Sequence, residues 1–464
     1  MVLLAFCLLT AACGTRRDRD DLLAAAQTGG PSAVAADSTG TDVAAAPADA
    51  ATDELTPGAA QPSGTDGAGA VSADPNASNG GGSSTAGGAV GGGAVAPATA
   101  QCTGQKKPIT IASVGNFSGV LGAILSQATQ VIAAWAASVN AKGGLNCHPI
   151  RYIVHDDGGD PARNQALVRQ SVEQQGAIAF VYLASPIAGA ASVDYIQRNR
   201  IPVIGEEGGN PWSCTNSMYF PIMTACSHAI DGSYRVLKDV VGAGTRVGAM
   251  SCTEVPFCSA WQARAGEAAR LAGLSLVSNQ GVSLAQPDYT SACISARDAK
   301  SQMMVLGIDS NSMIRIQRSC RSVGLDVPII GPGSAYSTDA TSKADLEGSW
   351  AASGVRFGTP DHPAYAEMLR TVKQYAPGIK TLAPNGAIGW VSAKVLEQAA
   401  QKVSDNPTSK EILEGLWSIK NNDIGGMTKP LTFVRDQPAP VEPRCVWAIE
   451  ISDGAWQHRK QVCW

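Results

Sequence analysis

The sequence predicts an α/β protein with two lobes, each built on a parallel sheet that helices cover on both faces. Three observations support this fold class. The 464 residues are 44% apolar and 16% charged, which is enough apolar chain for two or three domains of ordinary size. Short apolar runs alternate with segments whose apolar residues recur every three or four positions, as they do in amphipathic helices. The alternation occurs in two consecutive series, and each series predicts one lobe.

The first series begins at Ile109. The apolar run ITIASV is followed by apolar residues at helical spacing from Ile124 to Val139. The strands predicted in this series are Ile109–Val114, Ile150–His155, Ile178–Leu183 and Ile201–Ile204, with further helices from about 162 to 175 and from about 188 to 198. Strands that alternate with helices in this way indicate a parallel sheet.

The second series repeats the pattern further along the chain. Its predicted strands are Arg246–Met250, Leu274–Val277, Met303–Ile308 and Val327–Ile330, and its helices run from about 233 to 241, 260 to 272, 289 to 299 and 312 to 323. A second set of buried strands with their own helices cannot share the first core, so we predict a second lobe.

The N-terminal segment predicts export. Residues 1–12, MVLLAFCLLTAA, form an apolar run as long as the hydrophobic region of a signal peptide and end in small residues before Cys13. The stretch Leu9–Cys13 resembles a bacterial lipobox, in which the cysteine becomes the lipidated first residue of the mature protein. We therefore predict a lipoprotein signal peptide over residues 1–13 and a membrane anchor through Cys13. The alternative is a plain secretory signal.

Residues 14–104 predict a disordered tether. The stretch is mostly Ala, Gly, Ser, Thr, Pro and Asp, and from Pro31 to Ala100 it contains no Lys, Arg or aromatic residue. Such a composition buries too little apolar surface to offset the entropy of ordering. The whole chain has 35 basic and 39 acidic residues and a net charge of −4, so nucleic acid is not a predicted partner.

Ten cysteines follow the signal segment, and in an exported protein they predict disulfides. The sequence alone leaves the connectivity open. The pairing of chain neighbours is preferred because each pair lies within one supersecondary unit: Cys102–Cys147, Cys214–Cys226, Cys252–Cys258, Cys293–Cys320 and Cys445–Cys463. Zinc is the rival interpretation, but there is no CxxC pair and no HExxH motif, so no metal site is predicted.

Candidate ligand-binding residues follow the predicted strands. In open parallel sheets, ligands bind beyond the carboxyl ends of the strands. The residues at these positions are mostly small or polar, as a cleft requires. They include Phe117, Ser118 and Ser185 in the first series and Phe257, Asp309 and Ser334 in the second.

A family resemblance rests on residues 140–162, NAKGGLNCHPIRYIVHDDGGDPA. This run of helix, GG turn, strand, DD and DP resembles the type I periplasmic binding proteins, and its similarity to their branched-chain amino-acid branch is close. The resemblance implies two Rossmann-like lobes joined by a three-crossing hinge. Lobe 1 is expected at 105–223 and 360–438, and lobe 2 at 224–359 and 439–464.

The resemblance also implies a ligand set. Amino-acid binders hold the ligand carboxylate with a serine after the third strand and with hydroxyl or amide groups after the fourth. Ser185, or the Pro186–Ile187 stretch beside it, takes the first place, and the backbone amides of Gly208 and Gly209 take the second. Phe257 fits the aromatic residue that follows the first strand of the second lobe.

The acidic partner that these binders have for a ligand ammonium is missing at its usual place, where Gly333 stands. Asp309, Glu206 and Glu207 are the acidic alternatives, since a buried ammonium requires a charged partner. Asp309 has a second interpretation as the cap of the helix that begins near Ser312. Phe257 could pack under its loop instead of stacking on a ligand.

The function implied by the resemblance is capture without reaction. A small polar ligand, namely an amino acid, an amide or an amine, is expected between the closing lobes, from where it passes to the permease of an ABC importer. An enzyme is not predicted, because GxSxG, P-loop and strand-linked GxGxxG motifs are missing from the sequence, and no cofactor is expected. The alternative is a sensor or adhesin head of the same fold. We expect a monomer on the outer face of the membrane.

Overall fold

The computed structural model describes residue 102 and residues 104–206, 210–224, 226–440 and 442–464. The predicted signal peptide and almost all of the predicted tether therefore lie outside the described residues. The predicted fold class is confirmed, because two sheets are each built mainly from parallel strands with helices between them.

The first sheet has five strands in the order β2-β1-β3-β4-β5, and all of its neighbours are parallel. The strands are β1 Ile109–Gly115, β2 Ile150–Asp156, β3 Ala179–Val181, β4 Val203–Ile204 and β5 Tyr219–Phe220. The helices between them are α1 Gly119–Ala141, α2 Pro161–Glu173, α3 Val193–Arg198 and α4 Trp212–Thr215. The register pairs Gly115 with Asp156, so β1 and β2 end side by side and their following loops meet.

The second sheet has seven strands in the order β12-β11-β10-β9-β8-β6-β7. The strands are β6 Arg246–Cys252, β7 Ser275–Val282, β8 Met303–Gly307, β9 Ile329–Pro332, β10 Trp350–Ser353, β11 Cys445–Ser452 and β12 Ala455–Cys463. The helices that precede or connect these strands are α5 Ser227–Val241, α6 Pro256–Ala272, α7 Thr290–Asp298 and α8 Ser310–Ser322. Strands β6 to β10 are parallel, whereas β11 and β12 add an antiparallel hairpin at one edge.

Two parts of this sheet differ from the sequence prediction. The hairpin and β10 were not predicted. Strand β12 is a half-exposed edge strand that carries His458, Arg459 and Lys460 and so lacks the pattern of a buried strand. Helix α5 begins at Ser227, six residues before its predicted start. Its first residues, Ser-His-Ala-Ile-Asp-Gly, hide the helical period, and Gly232 is needed there because a Cβ would lie 2.7 Å from Val446.

The last helices return to the first sheet. They are α9 Pro363–Tyr375, α10 Pro384–Ala399 and α11 Ser409–Ser418. Helix α10 packs on α1 and on β3 and β4, while α9 also packs on α1. The chain then enters the second sheet again at β11. It therefore passes between the two sheets three times, as a three-crossing hinge requires.

Helix α1 is the central helix of the first lobe. It is long and apolar enough to cross a membrane by length and composition, but 61% of its most apolar window is buried inside the protein. Trp135, with 1% of its surface exposed, lies among these buried residues. The apolar character of α1 is that of a core helix packed between β2, α9 and α10.

Five disulfides confirm the preferred pairing of neighbours. They join Cys102–Cys147, Cys214–Cys226, Cys252–Cys258, Cys293–Cys320 and Cys445–Cys463. The bridges are local. One joins α7 to α8, one closes the β11–β12 hairpin, and one links the end of β6 to the first turn of α6. Each restricts the unfolded chain and typically contributes about 2–4 kcal/mol to stability.

Candidate functional site

A cavity lies between the lobes, and together with the solvent space at its opening it measures about 690 Å³. Helix α1 and two loops of the first sheet form one wall, and the loops after β6, β8 and β9 form the other. The lining residues are Leu121, Ile124, Leu125, Pro186, Asn210, Cys252, Val255, Phe257, Cys258, Leu284, Gly307, Ile308, Asp309, Pro332, Ser334 and Ala335. Both lobes contribute, so the cavity exists only where the two lobes face each other.

A second cavity of about 580 Å³ adjoins the first and forms its mouth. The two share Leu121, Val255 and Leu284 in their walls. The mouth also exposes apolar side chains: Val120 is 58% exposed and Ile187 is 41% exposed. The inner cavity and its mouth are therefore adjacent, and apolar side chains contribute to the lining of both.

Asp156 organises the loop that leads into α1. Its Oδ1 accepts hydrogen bonds from the backbone N–H of Phe117 at 2.9 Å and from that of Gly158 at 3.0 Å. Burial pushes the pKa of Asp156 upward, but hydrogen bonds from Ser118, Gly158 and Phe117 and the charge of Arg163 outweigh burial, so the pKa lies below its ordinary value. The ionised carboxylate thus fixes the residues that lead into α1.

Ser185 belongs to a sealed polar network. Its Oγ donates to Asp157 Oδ2 and accepts from Asn164 Nδ2 at 3.0 Å, while the same Asn164 Nδ2 lies 2.8 Å from Asp157 Oδ2. Ser185 is 2% exposed, and Asp157 and Asn164 are fully buried. The lining is formed instead by the residues that follow Ser185, with Pro186 at the inner cavity and Ile187 at the mouth.

Asp309 lies in the cavity wall and caps helix α8. Its Oδ1 accepts from the backbone N–H of Asn311 at 2.9 Å and of Ser312 at 3.1 Å, and its Oδ2 accepts from Ser312 Oγ at 2.6 Å. The structure therefore shows the capping bonds of the second interpretation. Asp309 is also 6% exposed and is the one charged side chain among the described residues of the inner lining.

Phe257 packs against its own helix and also lines the cavity, so its predicted contact with a ligand stays a prediction. It stands in the first turn of α6, beside the Cys252–Cys258 bridge, and lines the inner cavity. Its ring also meets that of Trp261 edge to face, with centroids 5.6 Å apart. One side of Phe257 is therefore fixed by packing while the other faces the cavity.

A chain of two hydrogen bonds connects the lobes beside the cavity, and sequence reasoning found Ser334 but missed Tyr182 and Asn385. Tyr182 Oη donates to Asn385 Oδ1 at 3.0 Å, and Asn385 Nδ2 donates to the carbonyl of Ser334 at 2.7 Å. Tyr182 directly follows β3 and has φ of +60°, a conformation that is strained for a bulky residue. The available signal was Asn385 itself, a polar residue that stands directly before the apolar run Gly386–Val391.

The remaining candidates are placed as follows. Ser118 lines the mouth, and Ser334 lines the inner cavity. Phe117 is half-buried, with its ring over Gly115, and it does not line either cavity. Glu206 is 3% exposed, whereas Glu207, Gly208 and Gly209 lie outside the described residues, as does Cys13. Within the described part of the chain, no group of three or more His, Cys, Asp and Glu side chains is placed to hold a metal ion.

A cavity between two α/β lobes that are joined by three crossings defines the class of two-lobed ligand-binding proteins. A family model described as periplasmic binding protein matches residues 108–455, and the chain belongs to this family. The resemblance noted in residues 140–162 is therefore confirmed. No curated protein matches the chain in sequence.

Solved structures share the fold. A fatty acid ABC transporter substrate-binding protein from Thermomonospora curvata is 19% identical, with a TM-score of 0.66, and the match covers 78% of this chain and 94% of that one. A branched-chain amino acid ABC transporter protein from Thermus thermophilus with bound valine is 17% identical, with a TM-score of 0.67 and coverage of 78% and 97%. A solute-binding protein from R. palustris in complex with benzoate is 12% identical, with a TM-score of 0.61 and coverage of 76% and 96%.

Proposed function

We propose that this protein is the extracytoplasmic solute-binding component of an ABC importer. It captures a small molecule between its lobes and presents the closed form to the membrane permease, without chemical reaction. The observation that carries this proposal is the cavity of about 690 Å³ whose walls come from both lobes. A ligand there contacts both walls only when the lobes are together, so binding stabilises the closed form.

The contacts beside the cavity support closure of the two lobes as the change that the permease recognises. The Asn385–Ser334 hydrogen bond joins a helix of the first lobe to a loop of the second, and it breaks if the lobes separate. Leu121 and Leu125 of α1 share the cavity with Phe257 and Leu284 of the second lobe. The same contacts that enclose a ligand therefore hold the lobes in one relative position.

The chain is proposed to work on the outer face of the membrane, attached through lipid on Cys13. A flexible chain of about 90 residues has an end-to-end distance on the order of 50 Å, so residues 14–104 let the binding lobes work well away from the lipid. Replacing Cys13 by serine is expected to move the protein from the membrane fraction to the medium or periplasm. Retention in the membrane by the Cys13→Ser variant contradicts the anchor.

The binding proposal is tested with the exported, oxidised chain by thermal shift, first checked for bound ligand by mass spectrometry. The panel contains amino acids, amides, amines, polyamines, sugars and small aromatic acids. A ligand at about a hundred times its dissociation constant stabilises by about 2.7 kcal/mol and raises the melting temperature by a few degrees. A folded, ligand-free protein that no compound stabilises contradicts solute capture.

Delivery is tested separately in cells. Deleting the gene is expected to abolish uptake of the solute that binds, and the Cys13→Ser variant is expected to restore less uptake than the intact chain. Unchanged uptake, combined with confirmed binding, contradicts the importer role and supports a sensor head of the same fold.

A further inference from the structure

We propose that the Cys214–Cys226 disulfide is a covalent stop on the hinge, which limits how far the two lobes open and keeps the ligand-free protein near its closed form. Cys214 lies in α4, a helix of the first lobe, and Cys226 directly precedes α5, the first helix of the second lobe. Of the five bridges in the described part of the chain, this is the one that joins elements of different lobes. The inference goes beyond the proposed function, because it holds for any solute that the lobes enclose.

Both ends of this bridge are held by packed helices. In the first lobe, Trp212 of α4 lies against Gly189, where a Cβ would be 3.3 Å from the Trp212 ring. Asn216, which directly follows α4, donates from Nδ2 to Gln197 Oε1 at 2.8 Å. In the second lobe, α5 packs on α6 and on strands β9, β10 and β11. The bridge therefore joins two fixed elements, one in each lobe.

The bridge closes a ring around the first crossing between the lobes. Strand β5 ends at Phe220 and α5 begins at Ser227, so this crossing consists of residues 221–226. In a hinge, a few such residues absorb the changes of φ and ψ that rotate one domain against another. Because Cys226 is bonded to Cys214, the end of the crossing stays beside α4, with the two Cα atoms 6.2 Å apart. Rotation at this crossing is then confined to the junction between Cys226 and α5.

The first crossing also contacts the other two crossings. Thr224 Oγ1 accepts from the backbone N–H of Cys445 at 3.0 Å and donates to the Cys445 carbonyl at 2.9 Å, where the third crossing enters β11. Met223 fills the space beside Gly354 of the second crossing, where a Cβ would lie 2.6 Å from the Met223 sulfur. Because the three crossings are packed together, a stop on the first one limits rotation at all of them.

The bridge lies directly behind the wall of the cavity. Cys226 Sγ is 3.3 Å from the carbonyl oxygen of Asn210, and Asn210 lines the cavity between the lobes. A limited opening keeps a larger fraction of the ligand-free molecules in a form that can bind, and the apparent dissociation constant falls as that fraction rises. The stop on the hinge therefore favours capture of a dilute solute.

The test measures the distance across the mouth of the cavity in the full, exported and ligand-free chain. Val120 of the first lobe and Ala285 of the second are exposed at the mouth, Ala285 next to the lining residue Leu284. Replacing both by p-acetylphenylalanine allows nitroxide labelling that leaves the cysteines untouched. Double electron–electron resonance is expected to show a longer and broader distance distribution when Cys214→Ser and Cys226→Ser are added. A distribution equal to that of the labelled parent overturns the stop, and the thermal-shift panel decides solute capture separately.

The matched control removes a bridge that lies within one lobe. Cys102→Ser with Cys147→Ser opens a bridge of the first lobe whose cysteines are 45 residues apart, against 12 for the hinge bridge. The longer loop should cost at least as much stability, because a disulfide restricts the unfolded chain more when its loop is longer. The distance across the mouth should nevertheless stay that of the labelled parent. Equal lengthening in the control and the hinge variant overturns the proposal.

A second variant keeps the bridge and loosens the contact between two crossings. Thr224→Val removes both hydrogen bonds to Cys445, and the distance across the mouth should stay unchanged because Cys226 is still bonded to Cys214. A longer distance in the folded Thr224→Val protein shows that the bridge does not limit opening and overturns the proposal. This variant decides the question if the chain without the hinge bridge does not fold.

Discussion

Helix α1 separates two clefts of opposite character. One face of the helix carries Leu121, Ile124 and Leu125 into the apolar cavity of about 690 Å³. The adjacent face carries Ala123, Ser126, Gln127 and Gln130 into an open cleft of about 1230 Å³. The other residues of that cleft are Asn311, Ser337, Thr338, Asp339, Thr341, Ser342, Gly378, Ile379, Lys380 and Thr381.

The difference arises because the residue spacing of α1 places apolar side chains on one face and mainly polar side chains on the next. The side chains at 121, 124 and 125 lie three or four positions apart and share one face, while those at 123, 126, 127 and 130 share the next. The polar cleft satisfies its own groups: Gln127 bonds the backbone of Thr381 and Ala383, and Asp339 pairs with Lys343 at 2.7 Å. The polar groups of this cleft are thus already hydrogen-bonded or hydrated, whereas replacing water by ligand in the apolar cavity lowers the free energy.

The largest expected effect comes from placing a charge on each face in turn. Ile124→Asp buries a carboxylate without a partner in the apolar cavity and is expected to lower the free energy of unfolding by about 3 kcal/mol or more. Gln130→Asp puts the same group on the polar face, where the change should stay within about 0.5 kcal/mol. Urea unfolding followed by circular dichroism measures both. Equal losses in the two variants contradict the contrast between the clefts.

Removal of single disulfides is expected to separate stability from binding. Serine at Cys252 and Cys258 opens a short loop in the cavity wall, which should cost about 2 kcal/mol of stability and weaken binding of the ligand that the thermal-shift panel identifies. Serine at Cys445 and Cys463 opens a longer hairpin loop, which should cost about 3 kcal/mol and leave the affinity unchanged. Thermal unfolding and calorimetry on both double variants provide the comparison. Equal affinities in the two variants would contradict a role of the Cys252–Cys258 bridge in ligand binding.

The bond between the lobes should have an intermediate effect. Asn385→Leu removes both the acceptor for Tyr182 and the donor to the Ser334 carbonyl, so it is expected to cost about 1–3 kcal/mol and to shift the ligand-free protein towards an open form. Tyr182→Phe removes only the first bond and should cost about 1 kcal/mol with little opening. Small-angle scattering of both variants measures the opening. A radius of gyration equal to that of the wild type in Asn385→Leu contradicts a role in closure.

The sequence predicts the fold far better than the binding site. Strands β1 to β4 and β6 to β9 were predicted because their apolar runs are bounded by small or polar residues, and Cys445–Cys463 was paired correctly as a neighbour. The rule of strand ends also selected Phe257 and Ser334. It could not select Ile124 or Leu125, because apolar side chains at helical spacing have the same pattern whether they face a core or a cavity. The same rule selected Ser185 by its residue type, but only the packing shows that its hydroxyl is buried and donates to Asp157.

The smallest expected effect concerns pH at the crossing between the lobes. Burial, and then the Arg356 guanidinium, lower the pKa of His362 below its ordinary value against the opposing charge of Asp423. Burial, Arg356 and His362 likewise lower the pKa of His458. The Nδ1 of His362 and the Nε2 of His458 are buried and have no hydrogen-bond partner among the described residues. The folded protein therefore favours the neutral form of both rings.

The sign of the pH effect follows from these directions. The unfolded chain takes up protons near the ordinary histidine pKa of 6.5, while the folded protein resists them, so stability is complete above that value and falls as the pH decreases through it. Melting temperatures between pH 7.5 and 5.5 should decline, and the double variant His362→Gln, His458→Gln should flatten the decline. Arg356 keeps its bond to the carbonyl of Gly426 in that variant, which preserves the crossing itself. An equal decline in wild type and variant would show that groups other than His362 and His458 cause the pH dependence of stability.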